Sequence, residues 1–207
     1  MRRKTFDALM TATGLALAAV LLIASGLLAW GHSFVNSEVH NQLAAEKIFF
    51  PAKGSPALAS PLIKPYLTPY AGQQMVNGQQ AEVWADHFIA VHLLAIGGGK
   101  TYAQLSAESL AAPKNLALAA QVNTVFKGET LRGLLLNAYA FWKMGQLMLI
   151  AAIVAFAGAI TLLVLSVMGM AHLRRTAPEA EVFSKITGHA PVKVTEPVPA
   201  SEPVPVA

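Results

Sequence analysis

The chain has 207 residues, 55% of them hydrophobic and only 13% charged, against about 25% charged in an average soluble domain, and its mean hydropathy is +0.50. It contains no cysteine, which excludes disulfides, zinc–thiolate sites, iron–sulfur clusters and thiol nucleophiles. The net charge of +4 is modest and much of it flanks apolar runs, where it sets membrane orientation, so nucleic acid is not an expected partner.

Residues 1–7 are a short basic N-terminus carrying Arg2, Arg3 and Lys4. No Asp, Glu, Lys or Arg occurs between Asp7 and Glu38, and Ala8–Trp30 is long enough for a helix to cross the hydrocarbon core. This first span, residues 8–31, exceeds the roughly 7–15 apolar residues of a signal-peptide core, and Trp30 and His32 interrupt any small-x-small cleavage site. It is therefore expected to stay as an anchor. A second charge-free run lies between Lys143 and Arg174, giving a second span at 144–171. Without water to satisfy backbone groups in a bilayer, both runs are expected to be helices.

Basic residues precede the first span and, as Arg174 and Arg175, follow the second. The positive-inside bias then puts both termini in the cytoplasm and residues 32–143 outside a plasma membrane. Trp30, Tyr139, Phe141 and Trp142 would share the outer interface as an aromatic belt. Gly14, Ala18, Ser25 and Ala29 on the first span, and Ala151, Ala155, Gly158, Ser166 and Gly169 on the second, form narrow stripes of small residues. Such stripes let helices pack closely in lipid, within one chain or between two. Neither span carries a central charge, which disfavours transport by this chain alone.

The outer segment reads as a small helical domain. Val35, Val39 and Leu43 continue the first helix outward. A loop punctuated by Pro51, Pro56, Pro61, Pro65 and Pro69 follows. Ala81, Trp84, Ala85, Phe88, Val91 and Ala95 recur with a period near 3.6, predicting a helix buried on one face and stopped by Gly97–Gly99. Thr101 and Gln104 form a capping box that opens a short helix to about Leu110. After Pro113 the chain runs helically into the second span, with softening expected at Gly128 and Gly133. Residues 172–207 form a cytoplasmic tail, disordered and partly polyproline II from its Glu-Pro-Val-Pro repeats.

The stretch Gly97-Gly-Gly-Lys-Thr101 ends like a phosphate-binding loop, but the first glycine such a loop requires would stand at Leu94, and a helix precedes where a strand should. No nucleotide is expected there. His32, His40, His87 and His92 share the outer segment with Glu38, Glu82 and Asp86. His87 and His92, five apart, diverge by roughly 140° on a straight helix, so they do not converge on one ion. Neither His-x-x-x-His nor a two-His-one-carboxylate spacing is present, and no Gly-x-Ser-x-Gly elbow. Glu129 and Arg132, three apart, are placed to form an ion pair on a juxtamembrane helix. The residues singled out for interaction are Trp84, Asp86, His87, His92, Glu129 and Arg132; no catalytic, cofactor or metal residue is assigned.

The segments "RRKTFDALMTATGL", "KIFFP", "YAGQQ", "ADHFIAVHL", "GGKTYAQ" and "GETLRGLLLNAYAF" together resemble a family of uncharacterised two-span membrane proteins of actinobacteria, over residues 2 to about 175. Some members carry the label "aromatic ring-opening dioxygenase". That chemistry implies a non-haem iron held by His and Glu, and no matching ligand cluster carries over to this chain. The expectation is thus an all-α membrane protein of the cell envelope with a helical outer domain that binds or scaffolds. Its partner would be an envelope protein, lipid, a small ligand or a second copy. A metal-dependent enzyme and a ligand sensor are the alternatives.

Overall fold

The computed structural model describes residues 3–175; most of the expected tail, and the first two residues, lie outside them. Arg3–Ala45 is one helix, α1, and Leu116–Arg175 another, α6. Between them stand α2 (Lys64–Leu67), α3 (Gly78–Trp84), α4 (Ala90–Ile96) and α5 (Tyr102–Ala111), with single 3₁₀ turns at Pro56–Leu58 and Thr68–Tyr70. Among the described residues there is no strand, only an isolated antiparallel bridge between Phe49 and Gln74. α1 and α6 are both long and apolar enough to cross a membrane, with mean hydropathies of 2.2 and 2.8 over their most apolar windows. Only 6% and 11% of those windows is buried, so neither is packed like the core helix of a soluble protein.

By internal packing the chain divides into two units, residues 20–158 and the two terminal stretches 1–19 and 159–207. In the terminal unit small residues bring α1 and α6 together: a Cβ added at Gly14 would lie 2.5 Å from Ser166 Oγ, and one at Gly169 2.8 Å from Thr11 Oγ1. In the central unit Ser25 Oγ donates to the Ala152 carbonyl at 3.0 Å, and His32 Nδ1 donates to the Gly145 carbonyl at 2.8 Å. Besides Val39 and Leu43 on α1 and Val125 and Leu135 on α6, the residues buried along these helices include Ala18 and Ser25 on α1 and Ala152, Ala159 and Ser166 on α6, which are spaced by sevens within each helix. That is the 3.5-residue period of helices that wind around a partner. The small-residue stripes expected from sequence are buried or half-buried at Gly14, Ala18, Ser25, Ala155, Gly158, Ser166 and Gly169 and miss at Ala29 and Ala151. They followed a straight 3.6-residue helix, which drifts off the seam, and Ala29 and Ala151 are exposed. The softening expected at Gly128 and Gly133 does not occur, because α6 is unbroken there.

The core of the central unit lies beside the C-terminal half of α1. Val39, Leu43, Phe50, Leu67, Met75 and Leu93 are buried in it, with Leu135 of α6. The proline-punctuated stretch is not a plain loop: its short helical turns insert Leu58, Ile63 and Leu67 into this core. Phe50 meets Trp84 edge-on at 5.1 Å and Tyr70 at 5.2 Å. Gln74 Nε2 donates to the Ala44 carbonyl at 2.8 Å, a second donor beside the Lys47 amide on that carbonyl in the last turn of α1. Asn77 caps α3 by accepting from the Gln80 amide at 2.9 Å, while buried Gln80 returns its Oε1 to the Val76 amide at 2.7 Å.

Candidate functional site

α3 and α4 are not two helices but the ends of one, joined by a π-helical turn over Ala85–Ile89. The Ala90 amide reaches back to the Ala85 carbonyl, five residues away. A π turn holds one residue more than the α-helical ladder allows and so re-aims the side chains around it; such turns recur at functional sites. Here the re-aimed residues are Asp86 and His87.

The 78–96 helix runs antiparallel to the N-terminal half of α6 and lies close against it. Gly78 sits on Trp142 and Gly128 sits on Leu93, each without room for a Cβ. At the far end Gln121 Nε2 donates to the Ile96 carbonyl at 2.6 Å. Midway, Arg132 donates to Asp86 Oδ1 at 2.7 Å, both side chains about one-third exposed, and to Glu129 Oε2 at 3.4 Å. The hydrogen bond it donates to Asp86 raises the Arg132 guanidinium above its ordinary range, against the opposing effect of burial. The ion pair expected between Glu129 and Arg132 is present, and Asp86, 46 residues away in sequence, completes it.

The remaining sequence-selected residues take different places. His87 stacks face to face on Tyr66, ring centres 3.4 Å apart and planes 3° from parallel. Exposed His92 donates through Nδ1 to the Phe88 carbonyl at 2.7 Å and packs on the Phe88 ring. Trp84 is half-buried between Phe50 and Phe88 and flanks the core rather than the open surface. Glu38 and His40 lie exposed on α1, Glu38 accepting from Gln42 at 2.7 Å. Among the described residues no three His, Asp or Glu side chains are placed to hold a metal ion.

The glycine-rich turn is closed in on itself. The amides of Gly97, Gly98, Gly99 and Lys100 donate to the carbonyls of Leu93, Ala95, Leu94 and Gly97. Gly98 and Gly99 take positive φ, 61° and 82°, to make that turn. Lys100 is paired with Glu108 at 2.7 Å, and Thr101 and Gln104 form the expected capping box. The amides and the ammonium that a phosphate loop would present are thus engaged within the chain.

Sequence reasoning missed one feature of the central unit. Between α1 and α6 lies an open groove of ≈ 570 Å³, floored by Val39, Leu43 and Leu135 and edged by Phe34, Leu134 and Phe141. Val35, Val39 and Leu43 were readable as the apolar face of α1, and Leu131, Leu134 and Phe141 recur at helical spacing on α6. What the sequence does not reveal is that these two faces meet and stay partly open. The chain matches no protein-family model, no curated protein and no solved structure. The class shown is therefore an all-helical protein with two membrane-length apolar helices.

Proposed function

We propose that this chain is a membrane-anchored binding protein of the cell envelope. In this reading residues 8–31 and 144–171 cross the plasma membrane, both termini are cytoplasmic, and residues 32–143 form an outer helical domain that engages an envelope partner. The family resemblance to two-span actinobacterial proteins accords with this reading. The observation that carries the binding role is the joining of two segments chosen independently from sequence. The π turn at 85–89 and the 128–133 stretch of α6 meet through Asp86 and Arg132 and make one charged, partly open surface. Ring opening is not adopted, because no cluster of His and carboxylate side chains among the described residues supports it.

Two measurements test the reading. A periplasmic-type reporter fused near Gln104 is expected to be active only outside the cytoplasm, and activity confined to the interior defeats the topology. Purification in mild detergent is expected to retain a partner that Arg132→Glu releases; identical recovery with both forms, or none with either, defeats the binding surface.

A further inference from the structure

The groove between α1 and α6 has a sided chemistry. Its floor and its α6 edge are apolar, with Leu134 61% and Phe141 56% exposed. On the α1 edge stand Glu38, Gln42 and, just past the helix end, Glu46, all exposed and four residues apart. No Lys or Arg lines it. The groove therefore favours an occupant that is apolar on one face and cationic at positions about two helical turns apart, opposite Glu38 and Glu46.

We propose that this groove docks a basic amphipathic helix of another protein, laid along α1 and α6 as a third helix of the bundle. The groove follows α1 from Phe34 to Glu46, about 18 Å at the helical rise, which is several turns of a partner helix. Lysines at i and i+8 on that helix match the spacing of the carboxylates of Glu38 and Glu46, with neutral Gln42 between them, in the manner of flanking charges in a coiled coil. A second copy does not meet the requirement: no described helix of this chain carries Lys or Arg two helical turns apart. The inference rests on the binding-protein reading above and adds the class of partner.

The test uses the full chain in nanodiscs of zwitterionic phosphatidylcholine. A fluorescein-labelled helical peptide, with leucines on one face and lysines at i and i+8 on the other, is titrated and followed by anisotropy. The expected result is saturable binding above that of empty discs, about tenfold weaker for the double variant E38K/E46K and for Leu134→Asp. The same peptide with glutamates in place of lysines is expected not to bind. Equal binding by wild type and E38K/E46K, or by loaded and empty discs, overturns the proposal. So does calorimetric binding of dodecyltrimethylammonium above empty discs without binding of the peptide. The discs leave both faces accessible, so a failed titration speaks against the groove alone, and an inward reporter at Gln104 against the orientation alone.

Discussion

Arg132 holds two carboxylates on one guanidinium, and one of them, Asp86, comes from 46 residues away in sequence. Because both members of the Asp86 pair are about one-third exposed, solvent screens it, and the coupling measured by a double-mutant cycle of Asp86→Asn and Arg132→Gln is expected to be roughly 0.5–1 kcal/mol, smaller at high salt. A coupling near zero would remove the pair as a reason for the two segments to meet. The pH dependence follows from the sign of the shift. A guanidinium raised above its ordinary range stabilises fully at every pH below that range and loses its contribution only above it. Moving from neutral to mildly alkaline pH is therefore expected to leave the stability difference between wild type and Arg132→Gln unchanged in thermal unfolding. Half of this site was legible in the sequence. Glu129 and Arg132 are three apart on a helix and need no fold to find each other. Asp86 was selected for its position on a helix, but its partner depends on how two distant helices lie together, which spacing does not encode.

Helix boundaries were legible wherever a local rule governs them. The capping box at Thr101 and the glycine stop at Gly97–Gly99 are set by residues that touch each other along the chain. The π turn was not legible, because the 3.6-residue pattern of Ala81, Trp84, Ala85 and Phe88 continues through it. The turn lies between two close contacts with α6, Gly78 on Trp142 and Leu93 on Gly128, which spacing along the chain does not encode. These two contacts differ in what would have to give way. A side chain at Gly78 meets Trp142 Cβ and, at 3.0 Å, the Tyr139 Cα, so backbone must shift. One at Gly128 meets only the outer carbons of Leu93, which can rotate. Gly78→Ala is accordingly expected to destabilise by about 1–3 kcal/mol, and Gly128→Ala by clearly less, read as melting temperatures in one detergent. The reverse order would mean that the two helices are held by something other than this pair of close approaches.

For the whole molecule, the decisive question is whether the exposed apolar windows of α1 and α6 face hydrocarbon. Composition, the charge-free runs and the flanking basic residues all pointed to that from sequence, and the architecture adds that these windows are uncovered by protein. Two phenylalanines of similar exposure separate the alternatives. Phe156, 53% exposed, lies near the middle of the second span, whereas Phe49, 57% exposed, lies in the proposed outer domain beside the Gln74 bridge. On a protein that meets water everywhere, arginine at either place replaces an exposed ring with a solvated charge and changes stability within about 0.5 kcal/mol. In a bilayer the two part company. Phe49→Arg stays near neutral, while Phe156→Arg puts a guanidinium at the depth where insertion costs about 2.5–3.5 kcal/mol, and there is no acidic residue on either span to receive it. The expected outcome is a marked loss of carbonate-resistant, membrane-integrated protein for Phe156→Arg and none for Phe49→Arg. Equal behaviour of the two variants would mean that the second apolar helix does not cross, and with it the outer placement of the Asp86–Arg132 surface and of the groove would fall.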